Sequence, residues 1–145
     1  MFTLSEQHLT DIEKHGEETF PHECCGFIFG VKDADGTLQT RELRRAENQR
    51  KDRGHDRFEI HPRDYMKAER YADSAGMQII GYYHSHPNSP AIPSQFDIDH
   101  AWPTLVYTIT EVRDGKAVVT YAHQLTEDRK QLKKINMNVE EKSHA

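Results

Sequence analysis

The stretch Tyr83-His84-Ser85-His86-Pro87-Asn88-Ser89-Pro90-Ala91-Ile92-Pro93-Ser94-Gln95-Phe96-Asp97 decides how this chain is read. The run leading into it, Met77 to His84, is apolar and aromatic and predicts a central strand. Side chains at i and i+2 on extended backbone point the same way, so His84 and His86 can bind one cation together. Pro87 biases His86 toward extended backbone. Ser85 to Pro93 reads as a proline-rich loop, and a short helix is expected to start near Ser94 and end before Pro103. Asp97 falls just inside that helix and can return its carboxylate to the two imidazoles. Two histidines and one carboxylate leave a fourth tetrahedral position open, as catalytic rather than structural zinc sites do. Ser94-Gln95-Phe96-Asp97 is also an ordinary S-x-x-D helix start. The two roles of Asp97 coexist only partly, because a ligating carboxylate has less freedom to cap.

Working outward, a helix is expected from about Ser5 to Phe20, with Thr3 and Glu6 as a capping pair and Leu9, Ile12, Gly16 and Phe20 on one face. Pro21 ends it. Cys24 to Lys32 reads as a buried strand, Asp33 to Gly36 as a turn, and Thr37 to Ala46 as a second strand. Asn48 to Arg57 is a polar, charged loop, followed by a short strand at Phe58-Glu59-Ile60. Pro62 opens a helix reaching Ala75, with Gly76 just past its end. Thr104 to Thr110 and Ala117 to His123 are strands around the hairpin signal Arg113-Asp114-Gly115-Lys116. Residues 1–125 form one domain of α/β (α+β) class. Residues 126–145 read as a charged extension, part-helical or flexible, with weak helical spacing at Leu132, Ile135 and Val139.

The 145 residues suffice for one core. Hydrophobic residues are only 35% and charged ones 30%, yet six Phe, six Tyr and one Trp argue for a folded domain. A net charge of −5 offers no global field for nucleic acid or an anionic membrane. No segment has the length of a membrane span or the pattern of a signal peptide, so a cytoplasmic protein is expected. Cys24 and Cys25 are the only cysteines and adjacent, a spacing that disfavours a bridge and fits a reducing compartment.

Zinc lowers the pKa of an attached water from about 15.7 to roughly 7. Hydrolysis also needs a base for the water proton and a donor for the developing oxyanion. Glu23, at the head of the apolar strand, is a candidate base, and Ser94 a candidate donor. Singly, each residue has an ordinary alternative. One His-x-His among ten histidines is weak, Glu23 is a strand-end carboxylate, and Ser94 is a helix cap.

Together these residues resemble the JAMM (MPN-plus) metalloprotease signature, H-x-H-P, six residues, then S-x-x-D, which His84, His86, Pro87, Ser94 and Asp97 match with the spacing intact. Pro21-His22-Glu23-Cys24-Cys25-Gly26 resembles the prokaryotic form P-x-E-x-C-G. Asn48, Phe58 to Pro62 and Gly81-Tyr82-Tyr83 are also similar to small bacterial and archaeal members, so the resemblance runs from about Leu4 to His123. It implies a mixed, curved sheet flanked by helices. It further implies zinc on His84, His86 and Asp97, with Glu23 as general acid/base and Ser94 as oxyanion stabiliser. The implied substrates are ubiquitin-like or ThiS/MoaD-type sulfur-carrier proteins, cut after a C-terminal Gly-Gly. Alternatives are a non-catalytic MPN-type interaction module and a zinc peptidase with an unrelated peptide substrate. The oligomeric state is not readable.

Other residues carry secondary expectations. Arg44, Arg45, Arg50, Lys51, Arg53 and Arg57 could grip an acidic carrier or form a solvated surface. Cys25 is expected to pack in the core, with Cys24 near the metal. Ser85 should face away from its flanking histidines, and Trp102 and Phe96 are expected in the core. His22, His55, His61, His100 and His123 have no partner spacing.

Overall fold

The computed structural model describes residues 1–50 and 58–141. In chain order these form β1 (Phe2–Ser5), α1 (Glu6–Thr19), β2 (Cys25–Lys32), β3 (Leu38–Ala46), α2 (Pro62–Ser74), β4 (Gln78–Pro87), α3 (Gln95–Asp99), β5 (Val106–Arg113), β6 (Lys116–Leu125), β7 (Leu132–Ile135) and β8 (Met137–Glu140). The strands form one sheet in the order β7-β6-β5-β4-β2-β3-β1-β8. It is mixed: β4 runs antiparallel to β2 and parallel to β5, and β1 runs parallel to both β3 and β8. Only Asn136 separates β7 from β8, although they stand at opposite ends of the strand order. The sheet must therefore curl until both its ends meet this one segment.

β2 and β4 bury both faces of the sheet. Cys24, Ile28 and Tyr83 pack with Ile12 of α1 on one side. Cys25, Phe27, Phe29 and Tyr82 pack with Ala68 and Ala72 of α2 on the other. Close strand approach explains Gly81 on β4, where a Cβ would collide with the Val106 carbonyl oxygen on β5. At the β5–β6 hairpin both Asp114 and Gly115 have positive φ, 50° and 87°, as a tight primed turn requires.

Several sequence expectations are corrected here. Residues 2–5 form a strand, and the helix cap is Ser5, whose Oγ accepts from His8 N at 3.0 Å. The expected Thr3–Glu6 pair is absent because Thr3 is buried within β1. Phe58 to Ile60 is not a strand, although Gln49 N donates to Glu59 O at 2.7 Å. The segment after Thr126, with weak helical spacing, forms β7 against β6 and β8 against β1. Ile135, Met137 and Val139 alternate with period two, and Ile135 and Met137 pack against the α1-side core. α2 starts at Pro62 and Gly76 follows its end at a φ of 70°, both as expected, and His61 is its N-cap.

Candidate metal centre

β4 extends beyond His84 to Pro87 and so holds His84 and His86 on one extended backbone. Tyr82, His84 and His86 share the α2 face, whereas Tyr83 and Ser85 face α1. Ser85 Oγ accepts from Cys24 N at 2.9 Å, so its expected structural placement holds. On β2, Cys25 stands opposite His84. Continuing that antiparallel register by two residues brings Glu23 opposite His86. Pairing thus brings Glu23 beside two histidines that lie about sixty positions further along the chain.

The fourth comes from α3. Ser94 is its N-cap: Ser94 Oγ accepts from Asp97 N at 3.1 Å, and Asp97 Oδ2 accepts from Ser94 N at 2.8 Å. The same carboxylate lies between the imidazoles, with Oδ1 3.2 Å from His84 Nε2 and Oδ2 3.2 Å from His86 Nε2. One carboxylate thus caps the helix and also stands beside both histidines. His84 Nε2 and His86 Nε2 are 3.3 Å apart. Donor atoms at roughly 2.0–2.1 Å from a tetrahedral zinc ion are separated by about 3.3–3.4 Å. The spacing therefore fits the donor set that the sequence implied. Glu23 is buried, with a carboxylate oxygen within 4.8 Å of a ring nitrogen of each histidine. Two carboxylates, Glu23 and Asp97, therefore stand beside the histidine pair.

The proton inventory also fits a cation. His86 Nδ1 lies 2.8 Å from Pro90 O, and a carbonyl can only accept. Nδ1 therefore carries a hydrogen, and Nε2, 3.2 Å from Asp97 Oδ2, is the atom that would give up its proton and turn a lone pair to a cation. Burial opposes charge on His86, but Asp97, the Pro90 carbonyl and Glu23 outweigh it and raise its pKa. Burial likewise works against ionised Asp97. The His84 ring, the hydrogen bonds of both histidines and Ser94 N–H nevertheless hold its carboxyl far below the usual range. Phe58 covers the His84 ring at 4.7 Å between centroids, and the buried His84 Nδ1 has no hydrogen-bond partner among the described residues.

Residues without an expected role turn out to support the centre. Asn48 Nδ2 donates to Glu23 O at 3.2 Å, while its Oδ1 accepts from Arg50 N and Glu59 N, tying Glu23 to the loop base. Nothing in sequence spacing links Asn48 to Glu23. A cavity of about 450 Å³ opens beside His84 and Asp97, and one of about 520 Å³ beside Glu23. Trp102, expected in the core, is 65% exposed at the rim of the first, and Phe96 is half-buried against His100. Cys24 packs on the α1 side, where burial pushes its thiol up to about 12. His61, His100 and His123 satisfy nearby backbone groups, and His22 lines the cavity beside Glu23. Arg44 lies over the Tyr71 ring and Arg45 pairs with Glu18, so both are engaged within the chain. Lys51, Arg53, His55 and Arg57 lie outside the described residues.

A curled mixed sheet that presents His-x-His and a helix-borne Asp beside a buried Glu defines a JAB-type domain. The family of prokaryotic homologs of the JAB domain matches residues 5–129, and the chain belongs to it, within the JAMM/MPN group. A protein named desampylase from Pyrococcus furiosus is 31% identical over 97 residues, 66% of this chain and 64% of that protein. The chain thus spans just under two thirds of that relative. A second protein of the same name, from Haloferax volcanii, is 31% identical over 109 residues, 74% of this chain and 73% of its own length. The solution structure of protein DSY2949 from Desulfitobacterium hafniense superposes with a TM-score of 0.83 at 26% identity, covering 98% of this chain and 94% of that one.

Proposed function

We propose that this chain is a zinc-dependent peptidase or isopeptidase that hydrolyses the bond after the C-terminal Gly-Gly of a ubiquitin-like or ThiS/MoaD-type sulfur-carrier protein. The observation that carries the reading is the convergence of His84 Nε2 and His86 Nε2, 3.3 Å apart, with one Asp97 carboxylate oxygen 3.2 Å from each and the buried Glu23 carboxylate beside them. Similarity to the two desampylases supports a ubiquitin-like partner.

His84, His86 and Asp97 would hold the zinc, which when bound would supply Lewis acidity and lower the pKa of water from about 15.7 to roughly 7. Glu23 accepts the proton of the attacking water and delivers it to the leaving amine, so the amine departs neutral. Ser94 Oγ already accepts from Asp97 N, which orients the hydroxyl and leaves its hydrogen to donate to the developing oxyanion. Glycines on the acyl side keep the substrate backbone slim where it passes the buried centre. No helix among the described residues is long and apolar enough to cross a membrane, and Cys24 and Cys25 are buried free thiols. Both facts accord with a cytoplasmic setting.

The test is incubation of the zinc-loaded protein with carriers extended past Gly-Gly, one through a peptide bond and one through a lysine side chain, followed by intact-mass measurement. Release of a carrier ending in Gly-Gly is expected. Stoichiometric carrier binding without cleavage would replace the enzyme by a non-catalytic MPN-type module. Cleavage of unstructured peptides but of neither carrier would move the activity to an unrelated substrate.

A further inference from the structure

We propose that the aromatic cavity beside the metal centre is a specificity subsite for one bulky apolar side chain, that of the substrate residue just upstream of the Gly-Gly. This rests on the cleavage proposed above and adds a selectivity to it.

The cavity has a volume of about 450 Å³, and Phe58, Tyr65, Tyr82, Phe96, Trp102 and Tyr107 line it. Its walls are braced: Tyr82 stacks on Tyr107 at 5.9 Å and meets Tyr65 edge-on at 5.7 Å, with Phe27 of the core behind both Tyr65 and Tyr82. Tyr107 Oη accepts from Trp102 N at 2.7 Å, which fixes the backbone beneath the exposed indole. His84 and Asp97 belong to the same wall, so the cavity opens directly onto the centre. A space of this size is wasted on glycine, and its walls are largely aromatic, with Arg50, Glu59 and His100 also lining it beside His84 and Asp97, the mixture of apolar wall and placed polar groups that side-chain subsites show.

The direction of the substrate follows from the two proton-handling groups. Glu23 lines the other cavity, with His15, Thr19 and His22. The leaving amine must approach Glu23 to receive its proton, so the leaving group lies on that side. Phe96, two residues after Ser94 at the start of α3, lines the aromatic cavity. A carbonyl oxygen facing Ser94 therefore directs the acyl portion over α3 and the aromatic walls. Passing upstream from the cleaved bond, the two glycines offer nothing to fill the cavity, and the first side chain to reach it is the one before them.

The experiment uses synthetic octapeptides ending X-Gly-Gly and carriers ending X-Gly-Gly-Ala, with X as Phe, Leu, Gly or Asp. Trp102 is the sole tryptophan, so its fluorescence reports occupation of the cavity. Peptides with X as Phe or Leu should shift the emission saturably and bind about ten- to a hundredfold more tightly than those with Asp or Gly. The same ranking is expected in kcat/KM for the carriers. Trp102→Ala, at a side chain 65% exposed, should shrink the Phe-over-Asp ratio in kcat/KM by about tenfold. Carrier cleavage with no dependence on X would overturn the subsite and leave the proposed activity standing. Selective peptide binding without any carrier cleavage would do the reverse. Discrimination that appears only when the residue after Gly-Gly is varied would overturn the assignment to the acyl side.

Discussion

Replacing Asp97 by Asn separates the helix cap from the metal ligand. Asp97 Oδ2 accepts from Ser94 N at 2.8 Å, and Oδ1 faces His84 Nε2 at 3.2 Å. An asparagine that keeps its oxygen on Ser94 N must place its amide nitrogen at the Oδ1 position. There the NH2 donates to His84 Nε2 and occupies the lone pair that a metal needs. The metal-free protein should therefore stay within about 1 kcal/mol of wild type, since the cap survives. Zinc affinity should fall by more than a hundredfold, because even outer-sphere partners of ligands are worth about ten- to a hundredfold. At free zinc of 100 times the wild-type Kd, binding stabilises the wild type by about 2.7 kcal/mol, against about 0.4 kcal/mol for a site a hundredfold weaker. For a chain of this size that is roughly 8–10 °C of zinc-dependent Tm shift reduced to about 1 °C. Thermal unfolding with zinc and with chelator, and competition against a chromophoric chelator, measure both quantities. A variant that binds zinc within threefold of wild type would show that Asp97 only caps its helix.

Glu23→Gln should keep the full zinc-dependent Tm shift and lower kcat on a cleavable carrier by roughly 10²–10⁴; steady-state cleavage decides it, and unchanged turnover removes Glu23 from the mechanism. Ser94→Ala should cost about 1 kcal/mol in urea unfolding through the lost cap and reduce kcat by roughly 10²–10³ with little change in KM, whereas a loss of stability alone would leave Ser94 a cap. His15 is buried with Nδ1 2.7 Å from Tyr83 Oη; burial, helped by Arg45 and opposed by Glu18, lowers its pKa to about 4. The unfolded chain takes up this proton below about pH 6.5, so stability should decline as pH falls from there toward about 4 and level off below, by of order 2 kcal/mol. A His15→Gln variant should lose that part of the pH dependence, and identical slopes for the two proteins would contradict it.

What was legible in the sequence follows from how local each cause is. His84 and His86 need only an extended backbone to converge, and Ser94 with Asp97 needs only a helix start, so spacing sufficed. The Asp114-Gly115 turn and Gly76 were readable because positive φ selects those residues. β1 was missed because four residues beside a helix carry no periodicity of their own, and its pairing with β3 and β8 comes from far along the chain. Leu132, Ile135 and Val139 imitate helical spacing, and only partners on two distant strands make the segment extended. The contact of Asn48 with Glu23 and the aromatic cavity were invisible for the same reason. They are assembled by register between strands, which sequence adjacency does not encode.

Residues 132–140 act on the sheet as a clasp does on a band. They satisfy the outer backbone groups of β6 with their first half and those of β1 with their second. The family match ends at residue 129, just short of this segment. A chain shortened there would keep every residue of the catalytic proposal yet bare two hydrogen-bonding rims at once. Unpaired strand rims recruit other chains, so such a fragment is expected to clump, and solubility would hinge on nine residues that touch no chemistry.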